Sequence, residues 1–170
     1  TDDLPPGPAL RILLVDDDEK DAVFVRDLLE ASGDMTSGWE VEWRTTTEEG
    51  LEALRSRSFH ACLVDDRFSR GEGLRMIRAA RDENNPVPLI LLAAAGDREA
   101  DMAAMRAGAA DFLLKEGLEP ARLERAIRYA VAQARARSGL LRLARRDPLT
   151  GLHNRGGIEE RAESARARAE

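Results

Sequence analysis

Phe59-His60-Ala61-Cys62-Leu63-Val64-Asp65-Asp66 is a short apolar run that stops abruptly on carboxylates. Runs of roughly four to eight apolar residues bounded by polar turns read as buried strands of a parallel sheet. A second run has the same shape: Ile12-Leu13-Leu14-Val15, then Asp16-Asp17-Asp18. In open α/β sheets, ligands bind just beyond the carboxyl ends of the strands. If these two strands are neighbours, five carboxylates crowd one rim. Such a cluster raises its own pKa values unless a cation neutralises it. A hard divalent ion with oxygen ligands is the natural neutraliser, and Mg²⁺ needs only one or two carboxylates besides water and phosphate oxygens. The expected site is a Mg²⁺ centre at Asp16, Asp17 and Asp65, with Asp65 the group on which chemistry happens.

Outward from these two strands the chain alternates between two periods. Leu10 to Val15 is the first strand, and Glu19 to Ala31 carries Ala22, Val25, Leu28 and Leu29 at helical spacing, with Gly33 as its stop. Trp39 to Trp43 alternates with glutamates, the pattern of a half-exposed edge strand. Thr46 stands three residues before Glu49, a capping-box spacing, ahead of a helix with Leu51 and Leu54. After Asp65 comes a loop, 67–73, and a helix with Leu74, Ile77 and Ala80. Leu89 to Leu92 is a wholly apolar strand. Gly96-Asp97 opens a helix that Gly108 closes, and Phe112-Leu113-Leu114 makes a fifth strand ending on Lys115. A long helix begins near Pro120, well placed for a first-turn proline. Five repeats of strand and helix predict a doubly wound α/β fold, a parallel sheet with helices on both faces.

Bulk composition sets limits. The chain has 170 residues, 34% charged and 4% aromatic, with net charge −6. That acidity argues against a nucleic-acid-binding surface. The single cysteine, Cys62, has no internal partner for a disulfide, which fits a reducing, cytoplasmic setting, and its place in the apolar run makes it a core residue. No segment has the length of a membrane-spanning helix, so no membrane partner is expected. Residues 1–8, with three prolines, read as a disordered lead-in.

Taken together, Asp16-Asp17 after strand one, Asp65 after strand three, Gly73-Leu74 beyond it and Lys115 after strand five resemble the receiver domain of bacterial two-component response regulators, over roughly residues 9–134. The resemblance implies a flavodoxin-like (βα)5 sheet of order 2-1-3-4-5 with an extended C-terminal helix. It implies that Asp65 accepts a phosphoryl group from a sensor histidine kinase or phosphotransfer protein. Asp17 and Asp65 would hold Mg²⁺ through side chains, Asp16 through water, and the backbone carbonyl of Arg67 would complete the shell. Lys115 would contact the phosphoryl group, as a point charge toward phosphate. A carboxylate nucleophile gives a labile acyl phosphate, which suits a reversible signal.

Plainer roles compete with these. Asp16 to Asp18 also make a helix N-cap with favourable charge near the helix start, and for Asp18 that reading is preferred. Asp66 reads as an exposed loop acid, and His60 and His153 as neither ligands nor bases. The chain also departs from the family pattern. Ala93 stands where a Thr or Ser hydroxyl is usual, and Glu116-Gly117 follows Lys115 where a proline and its cis peptide are usual. Phe112 keeps the aromatic switch position. The chemistry has its acceptor, metal ligands and lysine, whereas the coupling of phosphorylation to a switch is put in doubt.

Beyond the sheet, Ile127, Val131, Ala134, Ser138 and Leu141 form a weak heptad seam interrupted by Ser138-Gly139. It reads either as a helix end packed on its own domain followed by a linker, 135–146, or as a dimerising or signalling helix, with a homodimer through the C-terminal helix; the second is favoured. Asp147-Pro148-Leu149-Thr150-Gly151-Leu152-His153-Asn154-Arg155 resembles the opening motif of GGDEF diguanylate cyclase domains. Residues 147–170 are then the N-terminal fragment of such a domain. Gly156-Gly157-Ile158-Glu159-Glu160 only imitates the GGDEF signature, which in that family lies tens of residues further on. Three functions compete: a phosphorylatable receiver, itself no enzyme, relaying to a cyclase; a degenerate receiver serving as a dimerisation or docking module; and a flavodoxin-like enzyme. The last is disfavoured, because carboxylates rather than a glycine-rich phosphate loop follow strand one.

Overall fold

The computed structural model describes residues 9–32, 38–56, 58–66, 71–94 and 98–144. Five strands and five helices alternate: β1 (Leu10–Val15), α1 (Glu19–Ala31), β2 (Trp39–Arg44), α2 (Thr47–Arg55), β3 (Ala61–Asp65), α3 (Glu72–Asp82), β4 (Leu89–Ala93), α4 (Arg98–Ala107), β5 (Asp111–Leu114) and α5 (Pro120–Ala144). All strands pair in parallel, in the order β2-β1-β3-β4-β5. This is the expected flavodoxin-like arrangement, and it sets β1 beside β3.

The apolar runs show no alternation in sequence because both sheet faces are covered, yet the structure sorts them with period two. Leu10, Ile12, Leu14, Ala61, Leu63, Ile90 and Leu92 face one way, into a core with Ala22, Val25 and Leu29 of α1 and Leu123, Ile127 and Val131 of α5. Leu13, Val15, Cys62, Val64, Leu89 and Leu91 face the other, against Leu54 of α2, Met76, Ile77 and Ala80 of α3 and Ala104 and Ala107 of α4. Each fully buried aliphatic side chain contributes about 1.5–3 kcal/mol of transfer free energy. Cys62 is one of these core residues, with no exposed surface. On the edge strand β2, Trp39, Val41 and Trp43 are half-buried against the first core.

Local signals act as the sequence predicts at several joints. Asp18 caps α1, its carboxylate accepting from Lys20 N–H at 2.8 Å. Thr46 caps α2, accepting from Glu49 N–H at 3.2 Å, while the Glu49 carboxylate reaches back to Thr45 N–H at 3.3 Å. Gly108 closes α4 at φ +103°, a left-handed conformation that glycine adopts without strain. Gly33, Gly96-Asp97 and the loop 67–70 lie outside the described residues, as do the lead-in 1–8 and the segment 147–170; the cap residue after α1 is Ser32.

The expected extended C-terminal helix is present, α5 running through Ser138-Gly139 to Ala144. One interior glycine costs a helix about 1 kcal/mol against alanine, which good helix formers on both sides outweigh. Asp66 is partly buried rather than exposed, because its N–H extends the sheet to Leu92 O at 2.8 Å. The chain divides between Ala132 and Gln133 into two units, the first of which holds the whole sheet. Ile127 and Val131, the first two seam positions, are buried in the first unit's own core, so they serve packing there. His60, which shows no partner in sequence, has one in the fold: its Nδ1 accepts Arg11 N–H at 2.9 Å while its own N–H donates to Arg11 O at 2.8 Å.

Candidate functional site

The carboxyl ends of β1, β3, β4 and β5 deliver the site. Asp65 is the last residue of β3 and is 1% exposed. Asp16 follows β1 directly and is fully buried. Its N–H continues the strand pairing to Arg44 O at 3.0 Å, and its carbonyl accepts the indole N–H of Trp43 at 2.7 Å. Lys115 follows β5 and is 9% exposed; its N–H donates to Ala93 O at 2.7 Å. The turn after Lys115 closes with Leu118 N–H on Lys115 O at 3.2 Å and uses Gly117 at φ +67°. No cis peptide occurs among the described residues.

Side chains from the three strand ends converge. Lys115 Nζ donates to Asp16 Oδ2 at 2.9 Å and to Asp21 Oδ2 at 2.7 Å, and it stands 2.6 Å from Asp65 Oδ1. Carboxylate oxygens of Asp16, Asp21 and Asp65 all lie within 4.8 Å of one another. Among the described residues, three carboxylates face one ammonium in a largely buried place, a set of oxygen donors of the kind a hard cation takes. The other oxygen of Asp16, Oδ1, accepts Asp18 N–H at 2.9 Å. Both oxygens of Asp16 are therefore engaged by the protein.

Of the residues singled out in sequence, the structure brings Asp16, Asp65 and Lys115 into contact. Asp17 is exposed on the loop beside them and belongs to no carboxylate group among the described residues. Arg67 lies outside the described residues. Ala93 ends β4 with no exposed surface, and Phe112, half-buried in β5, packs against the core on the α3–α4 side. Asp21 is the residue that sequence reasoning misses. It occupies the third position of α1, three residues after the cap Asp18, and that first turn aims it back at the strand ends. The Asp18-x-x-Asp21 spacing, a capping-box variant, was the available signal.

Gly73, in the first turn of α3, packs against the acceptor strand. A Cβ on it would stand 2.5 Å from Asp65 O, closer than any side chain tolerates. Glycine is required here by proximity.

Comparison with known proteins places the fold in a family. The family described as response regulator receiver domain matches residues 12–128. The acid tolerance regulatory protein ActR of Rhizobium meliloti is 32% identical over 109 residues, 64% of this chain and 54% of that protein. The transcriptional regulatory protein ZraR of Salmonella typhimurium is 27% identical over 124 residues, 73% of this chain but 27% of that protein. The chain thus spans about half or less of the length of these relatives. Among solved structures, a putative response regulator from Chloroflexus aurantiacus superposes with a TM-score of 0.63 at 27% identity, covering 73% of this chain and 98% of that one. A CheY-like receiver domain protein from Methanospirillum hungatei gives a TM-score of 0.63 at 25% identity, covering 76% and 98%. With five parallel strands in this order and its acidic strand ends gathered on one lysine, the chain belongs to the response regulator receiver domain family.

Proposed function

We propose that this receiver accepts a phosphoryl group on Asp65 in a Mg²⁺-dependent reaction. The observation that carries the reading is the contact of Lys115 Nζ with the carboxylates of Asp65 and Asp16 at the buried rim. In the transfer, a carboxylate oxygen of Asp65 forms a bond to phosphorus. The bond from phosphorus to the leaving atom of the donor breaks: an imidazole nitrogen of a phosphohistidine, or the acetate oxygen of acetyl phosphate. The electron pair leaves with that atom. Phosphoryl transfer asks chiefly for position and for cations near the equatorial oxygens. Lys115 supplies one such charge, its backbone held by its own N–H on Ala93 O and by the turn at Gly117.

The donor set suits a hard cation. Asp17 and Asp65 would hold Mg²⁺ directly, with Asp16, already committed to Asp18 N–H and Lys115, acting through water; the Arg67 carbonyl is the remaining proposed ligand. Bound there, the ion supplies positive charge to the phosphoryl oxygens. The partner that presents the phosphoryl group is a sensor histidine kinase or a phosphotransfer protein. The output we propose is a diguanylate cyclase domain opening at Asp147-Pro148-Leu149-Thr150-Gly151, reached through the linker 135–146. ActR and ZraR are named as regulatory proteins, ZraR as a transcriptional one, so a nucleic-acid-binding output is the competing arrangement.

One observation favours a second reading, a docking module whose phosphorylation has no structural consequence. Ala93 is buried at the end of β4 and offers no hydroxyl to a phosphoryl oxygen. Intact-mass measurement after incubation with acetyl phosphate and Mg²⁺, followed by light scattering, separates the two. Mass gain with a changed mass distribution or shape supports the relay. Mass gain without any change supports the docking module, and no gain with either acetyl phosphate or a phosphohistidine donor counts against both the acceptor and the relay.

A further inference from the structure

We infer that Asp21 is a positioning residue for Lys115: it anchors the ammonium to α1 so that the charge stays over Asp65 as the phosphoryl group arrives. The inference rests on the phosphoacceptor reading above. It begins from the hydrogen-bonding capacity of lysine. An ammonium has three donors and no acceptor, and three carboxylates from three different places surround it. Asp16 comes from the end of β1, Asp65 from the end of β3 and Asp21 from the first turn of α1. The contacts are short, at 2.9, 2.6 and 2.7 Å.

The three contacts have different fates. When Asp65 becomes an acyl phosphate it loses its carboxylate charge, so the pull of Asp65 Oδ1 on the ammonium falls. The new phosphoryl oxygens lie further out from the strand end and attract the same ammonium. Lysine is a flexible four-carbon stem, and its charge is placed only as well as its partners place it. Asp16 holds it from below. Asp21, 21% exposed, holds it from the solvent side, where the phosphoryl donor must approach. Removing Asp21 leaves two partners of which one is consumed in the reaction. Asp21 also lies on α1, so the lysine ties that helix to the acceptor strand.

A bulk electrostatic role points the other way. Deleting a carboxylate would make the pocket less negative and speed the approach of an anionic donor. The sign of the effect therefore distinguishes the two. The test is a double-mutant cycle on the whole chain with acetyl phosphate and Mg²⁺, combining Asp21→Ala or Asp21→Asn with Lys115→Met. Loss of a hydrogen bond to a charged group is expected to slow phosphoryl uptake about tenfold in Asp21→Ala, and less in Asp21→Asn, which keeps an acceptor. In the Lys115→Met background the same substitutions are expected to change the rate less than about twofold, because the group they act through is gone. Faster uptake in Asp21→Ala, or effects that add in the double variant, would overturn the inference. Lys115→Met leaves buried carboxylates without a cation, so the cycle is repeated with Lys115→Gln, which keeps a side-chain donor. Urea midpoints of the same variants give a readout independent of the reaction. If the wild-type chain takes up no phosphoryl group, the functional reading falls. Additive urea effects of Asp21→Ala and Lys115→Gln would then still overturn the claim that Asp21 holds Lys115, and non-additive ones would sustain it.

Discussion

Gly73 and Asp65 meet backbone to backbone: a methyl group on Gly73 would lie 2.5 Å from the Asp65 carbonyl oxygen. The first turn of α3 is thus pressed against the strand end that carries the acceptor. Gly73→Ala must push one of them away. Overpacking of this kind costs about 1–3 kcal/mol, and phosphoryl uptake on Asp65 is expected to fall with it. Gly139→Ala is the control, since nothing stands within 4 Å of its added methyl. That substitution is expected to gain about 0.5–1 kcal/mol from helix propensity and leave uptake unchanged. Urea midpoints and uptake rates of the two variants decide the matter.

Trp43 ties the edge strand to the acidic loop through its indole N–H on Asp16 O at 2.7 Å. Trp43→Phe keeps most of the packing against the first core and removes the donor, leaving the carbonyl of a buried residue short of a partner. A loss of about 1–2 kcal/mol is expected. Trp39→Phe removes an indole N–H that donates to the Ser32 hydroxyl at 3.2 Å and is expected to cost less. Equal costs would show that the bond to Asp16 has no special weight.

Cys62 is sealed in the core, and burial pushes its thiol pKa up. Its folded value exceeds its unfolded value of about 8.5, so the neutral thiol favours the fold below that pH and the contribution declines as pH rises above it. In native protein near neutral pH, thiol reagents are expected not to react. Under a denaturant series, the labelled fraction should follow the unfolding curve seen by circular dichroism. Labelling that runs ahead of that curve would mean the sheet opens locally at β3.

On the α2–α3 side, Arg55 forks onto Glu83 with contacts of 3.2 and 2.8 Å. The hydrogen bond first, then the charge, holds the Glu83 carboxyl below its ordinary value. The folded pKa is depressed, so this contribution is present above the unfolded value of about 4.3 and is lost as pH falls through the folded one. The difference in urea midpoint between wild type and Glu83→Gln is expected to be small, since the pair is exposed, and to shrink to nothing below the carboxylate range. A difference that persists in acid would assign the effect to packing.

How far the sequence discloses this molecule varies from residue to residue. The strand ends were legible because an apolar run of strand length, stopping on Asp65 in one case and Asp16 in the other, fits little besides a buried parallel strand opening onto a polar rim. Helix limits were legible where a side chain makes the cap, as at Thr46 and Asp18, and less so at Gly73, whose role is a close approach that only three dimensions show. Asp21 was hidden because a polar residue in a first helical turn is ordinary, and its partner is 94 positions away. His60 was hidden for the same reason, its acceptor role resting on Arg11, 49 positions earlier. The seam in the last helix was misread at its start: Ile127 and Val131 have the spacing of an interface, but the domain's own core covers them. Periodicity gives the face of a helix and not what covers it.

Everything proposed for the acidic rim depends on Asp65 being the residue phosphorylated. Borohydride reduction of the acetyl-phosphate-treated chain converts an acyl phosphate on aspartate to homoserine, which peptide mass mapping locates. The expected result is homoserine at position 65, dependent on Mg²⁺ and absent in Asp65→Asn. Homoserine at Asp66 or Asp16 instead, or none after treatment with a phosphohistidine donor as well, would contradict it.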